Sequence, residues 1–303
     1  MKEMKNIPAS VHARLQNKAK NQNKLFQEIL QYYGMERFLF RLSQTQYGRM
    51  FIIKGGLFFY ARGYSLRRPT RDIDFCVYIE NSAEDLVEII KKAISIPATY
   101  DGLYFKNDSV HIEEIMVDAD YPGYRIIFDA LLGSSVIPLQ IDVGFSNVIF
   151  PEAKEIKYPV LLEEMEAPVF KIYPPEMIIS EKFQAMVRLA DINSRWKDYY
   201  DIWMLSELQD INGEILQNAI SVTFQQRKTH IPEEIPIGLS DNFATVNQRN
   251  WERFLSRNLM SQDSIQSFSE IIGRLRLFLL PPVRAIVEKK PFQLYWKAGS
   301  NWF

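Results

Sequence analysis

The stretch that decides the fold is Lys54-Gly55-Gly56, followed after a short interval by Arg68-Pro69-Thr70-Arg71-Asp72-Ile73-Asp74-Phe75. Because side chains alternate between the two faces of a strand, Asp72 and Asp74 would point the same way while Ile73 enters a core. The residues from 75 to 79 continue as an apolar run of the kind found in strands. The pattern therefore predicts a buried strand that carries two carboxylates on one face.

Two neighbouring carboxylates repel each other, and the repulsion is costly unless something offsets it. Mg²⁺ commonly does so, because it binds one or two carboxylates together with the phosphates of a substrate. The pair Gly55-Gly56 would let backbone N–H groups approach a phosphate, ahead of a helix predicted from Leu57 to Ala61. A D-x-D pair alone is more often a solvated strand edge, so the indication of a metal site comes from the combination.

A third carboxylate, Asp142, lies in the apolar segment Leu139-Gln-Ile-Asp-Val143, which is predicted to be a strand. A carboxylate inside an apolar strand is costly unless it is paired or meets a cation. Two interpretations therefore stay open. Asp142 joins Asp72 and Asp74 at a metal, or it forms a structural pair with an arginine.

A second block begins with Pro175, a good first residue for a helix, and contains Lys182. It is followed by Arg195-Trp-Lys-Asp-Tyr-Tyr-Asp201, in which Asp198 and Asp201 would share a helix face. A lysine beside an apolar face can contact a nucleotide phosphate as a point charge. The alternative is a salt bridge between Lys182 and Asp198 that locks two helices together.

The two blocks resemble the AbiEii/AbiGii toxin family of nucleotidyltransferases, which is part of the polymerase-β-like minimal nucleotidyltransferase superfamily. The resemblance consists of K-G-G, a variable turn and R-x-[ST]-x-D-[IL]-D-[FL], then E-K-x-x-A and [KR]-D-x-x-D, over about residues 50 to 205. The sequence departs from the family at Leu57, where Thr or Ser is usual, so one hydroxyl donor to phosphate is missing.

The resemblance implies a fold of the α+β class, with a small mixed β-sheet nucleotidyltransferase domain and flanking helices, followed by a mostly α-helical domain. We expect an N-terminal helical segment at 1–45, the nucleotidyltransferase-like domain at 46–158 and the mainly helical domain at 159–303. In the superfamily a third carboxylate arrives on a later neighbouring strand, and Asp142 is the candidate for it.

The resemblance also implies the reaction, which is transfer of a nucleoside monophosphate from an NTP to a hydroxyl acceptor, expected to be RNA or tRNA. The protein would be the toxin of a toxin–antitoxin or phage abortive-infection pair, with a winged-helix antitoxin as its partner. Mg²⁺, or Mn²⁺ in its place, would be held by Asp72, Asp74 and Asp142. The residues with expected catalytic roles are Asp72, Asp74, Asp142, Lys182 and Asp198. Those expected to contact the nucleotide or its phosphates are Lys54, Gly55, Gly56, Arg68, Thr70 and Lys182.

Composition adds little to this prediction. Lys and Arg total 36 against 37 Asp and Glu, a net charge of −1, so composition alone does not indicate a nucleic-acid binder. A basic N-terminal helical region is either a solvated face or a contact for RNA phosphates; it contains Arg14, Lys18, Lys20 and Lys24. The single cysteine, Cys76, fits a reducing compartment. With no apolar run near the ~20 residues of a membrane span, we expect a cytoplasmic protein without membrane contact.

Two other functions stay open on the sequence. One is a nucleotidyltransferase that acts on a small molecule such as an antibiotic, which an acidic acceptor pocket would favour. The other is a catalytically silent binding protein on the same fold, such as a non-catalytic nucleotide-binding protein. Failure to bind Mg²⁺ and nucleotide would count against the enzyme and favour a silent protein.

Overall fold

The computed structural model describes residues 6–64, 70–77, 82–98, 100–117, 121–146, 148–258 and 267–303. The chain divides into two compact units. The first comprises Met1–Val148 and Ala153–Tyr173, and the second Ile149–Glu152 and Pro174–Phe303.

The first unit combines helices with one mixed sheet. Its elements are α1 (Ile7–Asn21), α2 (Phe26–Ser43), β1 (Phe51–Ile53), α3 (Gly55–Ala61), β2 (Asp72–Val77), α4 (Ala83–Ile94), β3 (Leu103–Phe105), β4 (His111–Val117), β5 (Tyr121–Leu132), β6 (Ser135–Phe145), β7 (Lys154–Lys157) and β8 (Val169–Ile172). Within the described residues the strand order is β3-β5-β6-β2-β1-β8-β7, and β4 pairs with the part of β5 that β3 leaves free. The pairs β2–β6 and β1–β8 are parallel and the others antiparallel, so the predicted mixed sheet is confirmed.

Helix α2 forms much of the core of this unit, because its side chains are buried around most of its circumference. Gly34 lies where α2 crosses β6. A Cβ at this position would lie 2.9 Å from a methyl group of Ile137 and 3.3 Å from one of Leu139. The absence of a side chain therefore lets the helix lie directly on the strand that carries Asp142.

The second unit is mostly helical, as predicted. Its elements are α5 (Pro175–Leu189), α6 (Trp196–Leu208), β9 (Ile211–Asn212), α7 (Gly213–Gln226), α8 (Asp241–Arg257), α9 (Phe268–Val287) and β10 (Tyr295–Trp296). The strands β9 and β10 pair in an antiparallel ladder. Because the first unit contains a mixed sheet and the second is mostly helical, the α+β class is confirmed.

Local signals fixed some helix ends and not others. Ser82 caps α4 and forms a reciprocal pair with Asp85, as the predicted Ser82–Ile94 helix requires. The sequence also suggests Ser10 as the cap of the first helix, and this prediction is wrong. Asn6 is the cap, since its side-chain oxygen accepts a hydrogen bond from the backbone N–H of Ala9 at 3.1 Å.

The sequence suggests that Pro281-Pro282 breaks the last helix or starts the next, but α9 runs through the pair and continues to Val287. A proline at 282 has no N–H to give to the carbonyl of Phe278 one turn earlier. The indole N–H of Trp302 donates to that carbonyl instead, at 3.1 Å, and its ring stacks on the ring of Phe278. The aromatic tail, whose role the sequence does not decide, thus supplies the donor that Pro282 lacks.

None of the helices in the described part of the chain is both long enough and apolar enough to cross a membrane.

Candidate active site

Three carboxylates meet on adjacent strands of the first unit. Asp72 and Asp74 lie on β2, and Asp142 lies directly opposite Asp74 on the parallel strand β6. One oxygen atom from each lies within 4.8 Å of the others, and all three residues are half-buried. The structure therefore brings together the three residues predicted to hold the metal. We call them the carboxylate cluster.

Asp72 is oriented by the segment that precedes it. The hydroxyl of Thr70 donates to Asp72 Oδ1 at 2.7 Å, and the backbone N–H of Thr70 donates to the hydroxyl of Tyr32 at 2.9 Å. Gln31 uses its amide to donate to the carbonyls of Arg71, at 3.3 Å, and Pro138, at 2.9 Å. Consecutive residues of α2 thus fix the entry to β2, and with it the first carboxylate of the cluster.

The Gly-Gly pair packs against the cluster. Gly55 has a φ of +59°, and a Cβ built on it would overlap the carboxylate of Asp74. A Cβ on Gly56 would lie 2.5 Å from Cβ of Thr70. Only glycine satisfies both the backbone and the space at position 55. This packing role stands beside the predicted contact with phosphate, which stays a prediction for both glycines and for Thr70.

Arg125 on β5 holds the third carboxylate. Its Nε donates to Asp142 Oδ1 and its Nη2 to Asp142 Oδ2, each at 2.8 Å. The amide of Gln140 adds a donor to Oδ1 at 3.2 Å. The hydrogen bond to Asp142 is the main cause that raises the pKa of Arg125. The pairing with an arginine that the sequence left open is thus present. Asp142 also lies in the carboxylate cluster, and its binding of a metal together with Asp72 and Asp74 stays a prediction.

The sequence analysis did not identify Arg125. It was visible only as one residue of a predicted strand, between Tyr124 and Ile126. Its position opposite Asp142 follows from the register between β5 and β6, which the hairpin at residues 133–134 sets. Aligning these two segments as a hairpin, with the turn at residues 133–134, would have placed Arg125 opposite Asp142.

The residues of the carboxylate cluster fit a divalent cation. Carboxylate oxygens are hard donors of the type that Mg²⁺ and Mn²⁺ take. Three carboxylates lie within 4.8 Å of one another, and Arg125 brings a single positive charge to them. A dication would offset the remaining repulsion.

Lys182 and Asp198 meet in the second unit. Lys182 on α5 lies 2.6 Å from Asp198 Oδ1 and 3.0 Å from Asp201 Oδ2, both on α6. Arg195 Nε lies 2.6 Å from the other oxygen of Asp198. The salt bridge left open by the sequence is therefore present, and Asp201 and Arg195 extend it.

This group keeps Lys182 charged. Burial by itself would lower the pKa of Lys182, but the carboxylates of Asp198 and Asp201 more than compensate, and the pKa is raised. The side chain of Lys182 keeps 15% of its surface exposed, whereas that of Asp198 keeps 1%. Lys182 and Asp198 belong to the second unit and the carboxylate cluster to the first, and a role for either in nucleotide binding stays a prediction.

Two further predicted residues complete the set. The ammonium group of Lys54 lies over the ring of Tyr173, 4.5 Å from its centroid. The backbone N–H of Lys54 donates to the carbonyl of Asp74 at 2.8 Å, which ties the residue to the strand of the cluster. Arg68 lies outside the described residues.

Two solved structures resemble this one. A crystal structure of a candidate nucleotidyltransferase from H. pylori has 16% sequence identity and a TM-score of 0.48, over 87% of this chain and 97% of that chain. The crystal structure of JHP933 from Helicobacter pylori has 16% identity and a TM-score of 0.49, over 87% and 94% of the two chains. Likeness at this level carries no argument about function. No curated protein matches the chain significantly.

A family profile matches most of the chain. The profile of the nucleotidyl transferase AbiEii toxin of type IV toxin–antitoxin systems aligns with residues 37–288. The alignment runs from α2 to α9, and it includes the carboxylate cluster and the helices that carry Lys182 and Asp198. It confirms the resemblance on which the sequence analysis relied. The chain belongs to the AbiEii family, and the protein is a nucleotidyltransferase of the type IV toxin–antitoxin class.

Proposed function

We propose that the protein transfers a nucleoside monophosphate from an NTP to a hydroxyl group of RNA, with tRNA as the favoured acceptor. A divalent cation would be held by Asp72, Asp74 and Asp142. The observation that carries the proposal is the convergence of these carboxylates from two adjacent strands to within 4.8 Å. All three fall within residues 46–158, which we propose as the nucleotidyltransferase domain.

The cation, Mg²⁺ or Mn²⁺, would neutralise charge on the triphosphate and polarise the phosphoryl group for an in-line displacement. Asp72 and Asp74 would hold it, and both are fixed beforehand. Thr70 donates to Asp72, and the space beside Gly55 accommodates Asp74. Such preorganisation matters because misplacement by 1 Å can cost about a hundredfold in rate.

Asp142 would position or deprotonate the attacking hydroxyl. Its location next to Asp74 supports this assignment, because the attacking hydroxyl must lie close to the phosphoryl group that it attacks, opposite the leaving pyrophosphate. Lys54, Gly55, Gly56, Thr70 and Arg68 would contact the phosphates. Lys182 would bring a permanent positive charge to the nucleotide, and Asp198 and Asp201 would orient it.

The RNA acceptor is supported by the basic corner where α1 meets α2. Lys20 is exposed, and the ammonium group of Lys24 lies 6.0 Å from the centroid of the Tyr32 ring. Tyr32 accepts the hydrogen bond from Thr70, which in turn contacts Asp72. Lys24 also pairs with Glu28 at 3.2 Å, so Lys20 is the lysine of this corner whose exposed positive charge would meet RNA phosphate.

The test is to incubate the full-length protein with Mg²⁺, total tRNA and each labelled NTP in turn. A double variant, Asp72→Asn with Asp74→Asn, keeps the side-chain shapes and removes two charges. The variant Asp129→Asn is the matched control, because Asp129 lies on β5 of the same sheet and pairs with Lys106 at 4.0 Å, outside the carboxylate cluster.

Label that enters RNA with one NTP, survives in the control and is lost in the double variant would support the proposal and identify the nucleotide. Label found on an added aminoglycoside but never on RNA would replace the acceptor with a small molecule. Failure of the wild type to bind any NTP in the presence of Mg²⁺ would contradict the proposed catalysis.

We propose a winged-helix protein as the antitoxin and the cytoplasm, where NTPs and tRNA are found, as the site of action. Membership of a type IV toxin family supports the existence of an antitoxin. A neighbouring reading frame for a winged-helix protein should restore growth when it is expressed together with this toxin. Unchanged toxicity in its presence would contradict this assignment.

A further inference from the structure

We propose that Arg125 is an exchangeable counter-ion of the carboxylate cluster. It holds Asp142 until a divalent cation binds, and it then moves to Glu113 on the neighbouring strand β4. The inference rests on the cation site of the proposed function. It assigns a positioning role to Arg125 and Glu113, neither of which belongs to the motifs of the family resemblance.

The arrangement of charges across the sheet is the first observation. Glu113 on β4 is opposite Arg125 on β5, Arg125 is opposite Asp142 on β6, and Asp142 is opposite Asp74 on β2. Residues directly opposite each other on neighbouring strands lie on the same face. Four charged side chains therefore form one row, in which Arg125 has a carboxylate on either side.

The present partner of Arg125 is Asp142. The two nitrogen atoms of the guanidinium fork take both oxygens of this carboxylate at 2.8 Å, and Gln140 takes a further lone pair of Oδ1. A carboxylate offers about four lone-pair positions. Three of those of Asp142 are occupied, so a cation that uses this residue as a full ligand must displace the guanidinium or share with it.

Sharing is unfavourable because the guanidinium of Arg125 and the dication would then both bind the carboxylate of Asp142 and lie close to each other. Like charges at such a distance oppose each other, and the side of the carboxylate cluster toward β4 is open enough for one of them to leave. The side chain of Arg125 keeps 33% of its surface exposed. Binding of a cation and pairing of Arg125 with Asp142 are therefore negatively coupled, and such coupling is reciprocal.

Glu113 supplies the alternative position. It lies opposite Arg125 on the side away from Asp142, and it is exposed to solvent. An exposed ion pair of this kind is weak, so Arg125 would not be trapped at Glu113. Moving to Glu113 keeps the guanidinium paired while it leaves the cation.

The exchange has a consequence for substrate binding. Without a cation, Arg125 relieves the repulsion among the three carboxylates, so the cluster is stable. It also weakens binding of a cation that arrives alone. A cation that arrives with a triphosphate brings negative charge of its own and is opposed less. Arg125 would thus favour the cation–nucleotide complex over the free cation.

The experiment measures binding of Mn²⁺ to the full-length protein in the absence of nucleotide, from the electron paramagnetic resonance signal of free Mn²⁺. Arg125→Gln should bind Mn²⁺ about tenfold more tightly than the wild type. Arg125→Lys, which keeps the charge and loses the fork, should bind about threefold more tightly. Glu113→Gln should bind about twofold more weakly, because Arg125 loses its second partner.

A double-mutant cycle separates displacement from a general field effect. In an Asp142→Asn background, Arg125→Gln should change the affinity by less than about twofold. Lys106→Gln is the matched control, because it removes a positive charge near β5 that pairs with Asp129 and does not touch the carboxylate cluster. Its affinity for Mn²⁺ should equal that of the wild type.

The outcomes distinguish this inference from the proposed function. Absence of Mn²⁺ binding in the wild type and in every Arg125 variant would overturn the cation site itself. Binding by the wild type that Arg125→Gln and Arg125→Lys leave equal or make weaker would overturn only the exchange. If Arg125→Gln fails to fold, Arg125→Lys and Glu113→Gln decide the question by the same criteria. An unchanged affinity in Glu113→Gln would exclude Glu113 as the second partner.

Discussion

At the scale of single residues, the carboxylate cluster depends on side chains that do no chemistry. Gly55 makes room for Asp74, Thr70 orients Asp72, and Arg125 occupies Asp142. Each acts on one carboxylate, so the contribution of each can be tested separately. The residue that allows the sharpest test is Gly55.

Gly55→Ala should lower transferase activity about a hundredfold, because the new methyl group would displace Asp74. Its backbone at φ +59° also costs an alanine about 1–2 kcal/mol. Gly63→Ala is the matched control, since Gly63 has a φ of +75° and nothing lies within 4 Å of a Cβ built there. Steady-state kinetics and thermal melting should show similar losses of stability and a loss of activity only at position 55. Equal activities would contradict the packing role.

Glu36 predicts a dependence of stability on pH. It is 2% exposed, and burial raises its pKa to about 7, although Arg37 and the backbone N–H of Leu161 act in the opposite direction. A carboxyl whose pKa is higher in the folded state stabilises the fold below its unfolded pKa of 4.5. That stabilisation, about 3 kcal/mol, is lost as the pH rises through 7.

Urea unfolding of the wild type and of Glu36→Gln at pH 5 and pH 8 would measure this effect. The free energy of unfolding of the wild type should fall between the two pH values by about 3 kcal/mol more than that of the variant, which cannot ionise. Parallel behaviour of the two proteins would mean that Glu36 does not titrate in this range.

At the scale of elements, α9 contains two adjacent prolines, and the hydrogen-bond donor that is missing at the second is replaced from the C-terminal tail. The carbonyl of Phe278 loses its usual donor at Pro282 and receives the indole N–H of Trp302. The ring of Trp302 also stacks on that of Phe278. The tail is thus part of the hydrogen bonding of the helix and not only of its packing.

Trp302→Phe should lower the free energy of unfolding by about 1–3 kcal/mol, because it leaves the carbonyl of Phe278 without its donor while keeping an aromatic ring. In a Pro282→Ala background the backbone N–H returns, and the same substitution should cost clearly less. Chemical denaturation of the four proteins of this cycle is the measurement. Equal costs in both backgrounds would show that the indole acts through packing alone.

The sequence predicted elements better than it predicted their partners. Alternation placed Asp72 and Asp74 on one face of a strand, and Ser82 with its acidic first turn identified α4 correctly. These signals are local. The pairing of Arg125 with Asp142 depends on strand register. The hydrogen bond from Trp302 to the carbonyl of Phe278 joins positions 24 residues apart. Contacts of this kind arise from tertiary structure, which propensity and spacing do not report.

At the scale of the whole molecule, the predicted site residues are divided between the two units. The carboxylate cluster belongs to the first, and Lys182 with Asp198 belongs to the second. The salt bridge by itself explains why Lys182 is paired. A test of the proposed catalytic role of Lys182 therefore needs a variant that keeps the salt bridge.

Lys182→Arg should preserve the ion pairs with Asp198 and Asp201 and leave the melting temperature close to that of the wild type. Activity should nevertheless fall at least about tenfold, because a guanidinium differs in shape from an ammonium at a phosphate. Lys182→Met should instead destabilise the protein by about 3–5 kcal/mol, since buried carboxylates lose their partner. Full activity in Lys182→Arg would indicate a purely structural lysine. Lys297→Arg, at an exposed position, is the control.

The strand order of the first unit also constrains when the carboxylate cluster can form during synthesis of the chain. β2 lies between β1 and β6, and β1 is flanked on its other side by β8, so the neighbours of the D-x-D strand extend to residue 172. A ribosome that has released residue 74 has produced two aspartates without the third. The carboxylate cluster therefore cannot assemble until residue 142 has emerged, and the strands around the D-x-D strand are complete only after almost 100 further residues have followed residue 74.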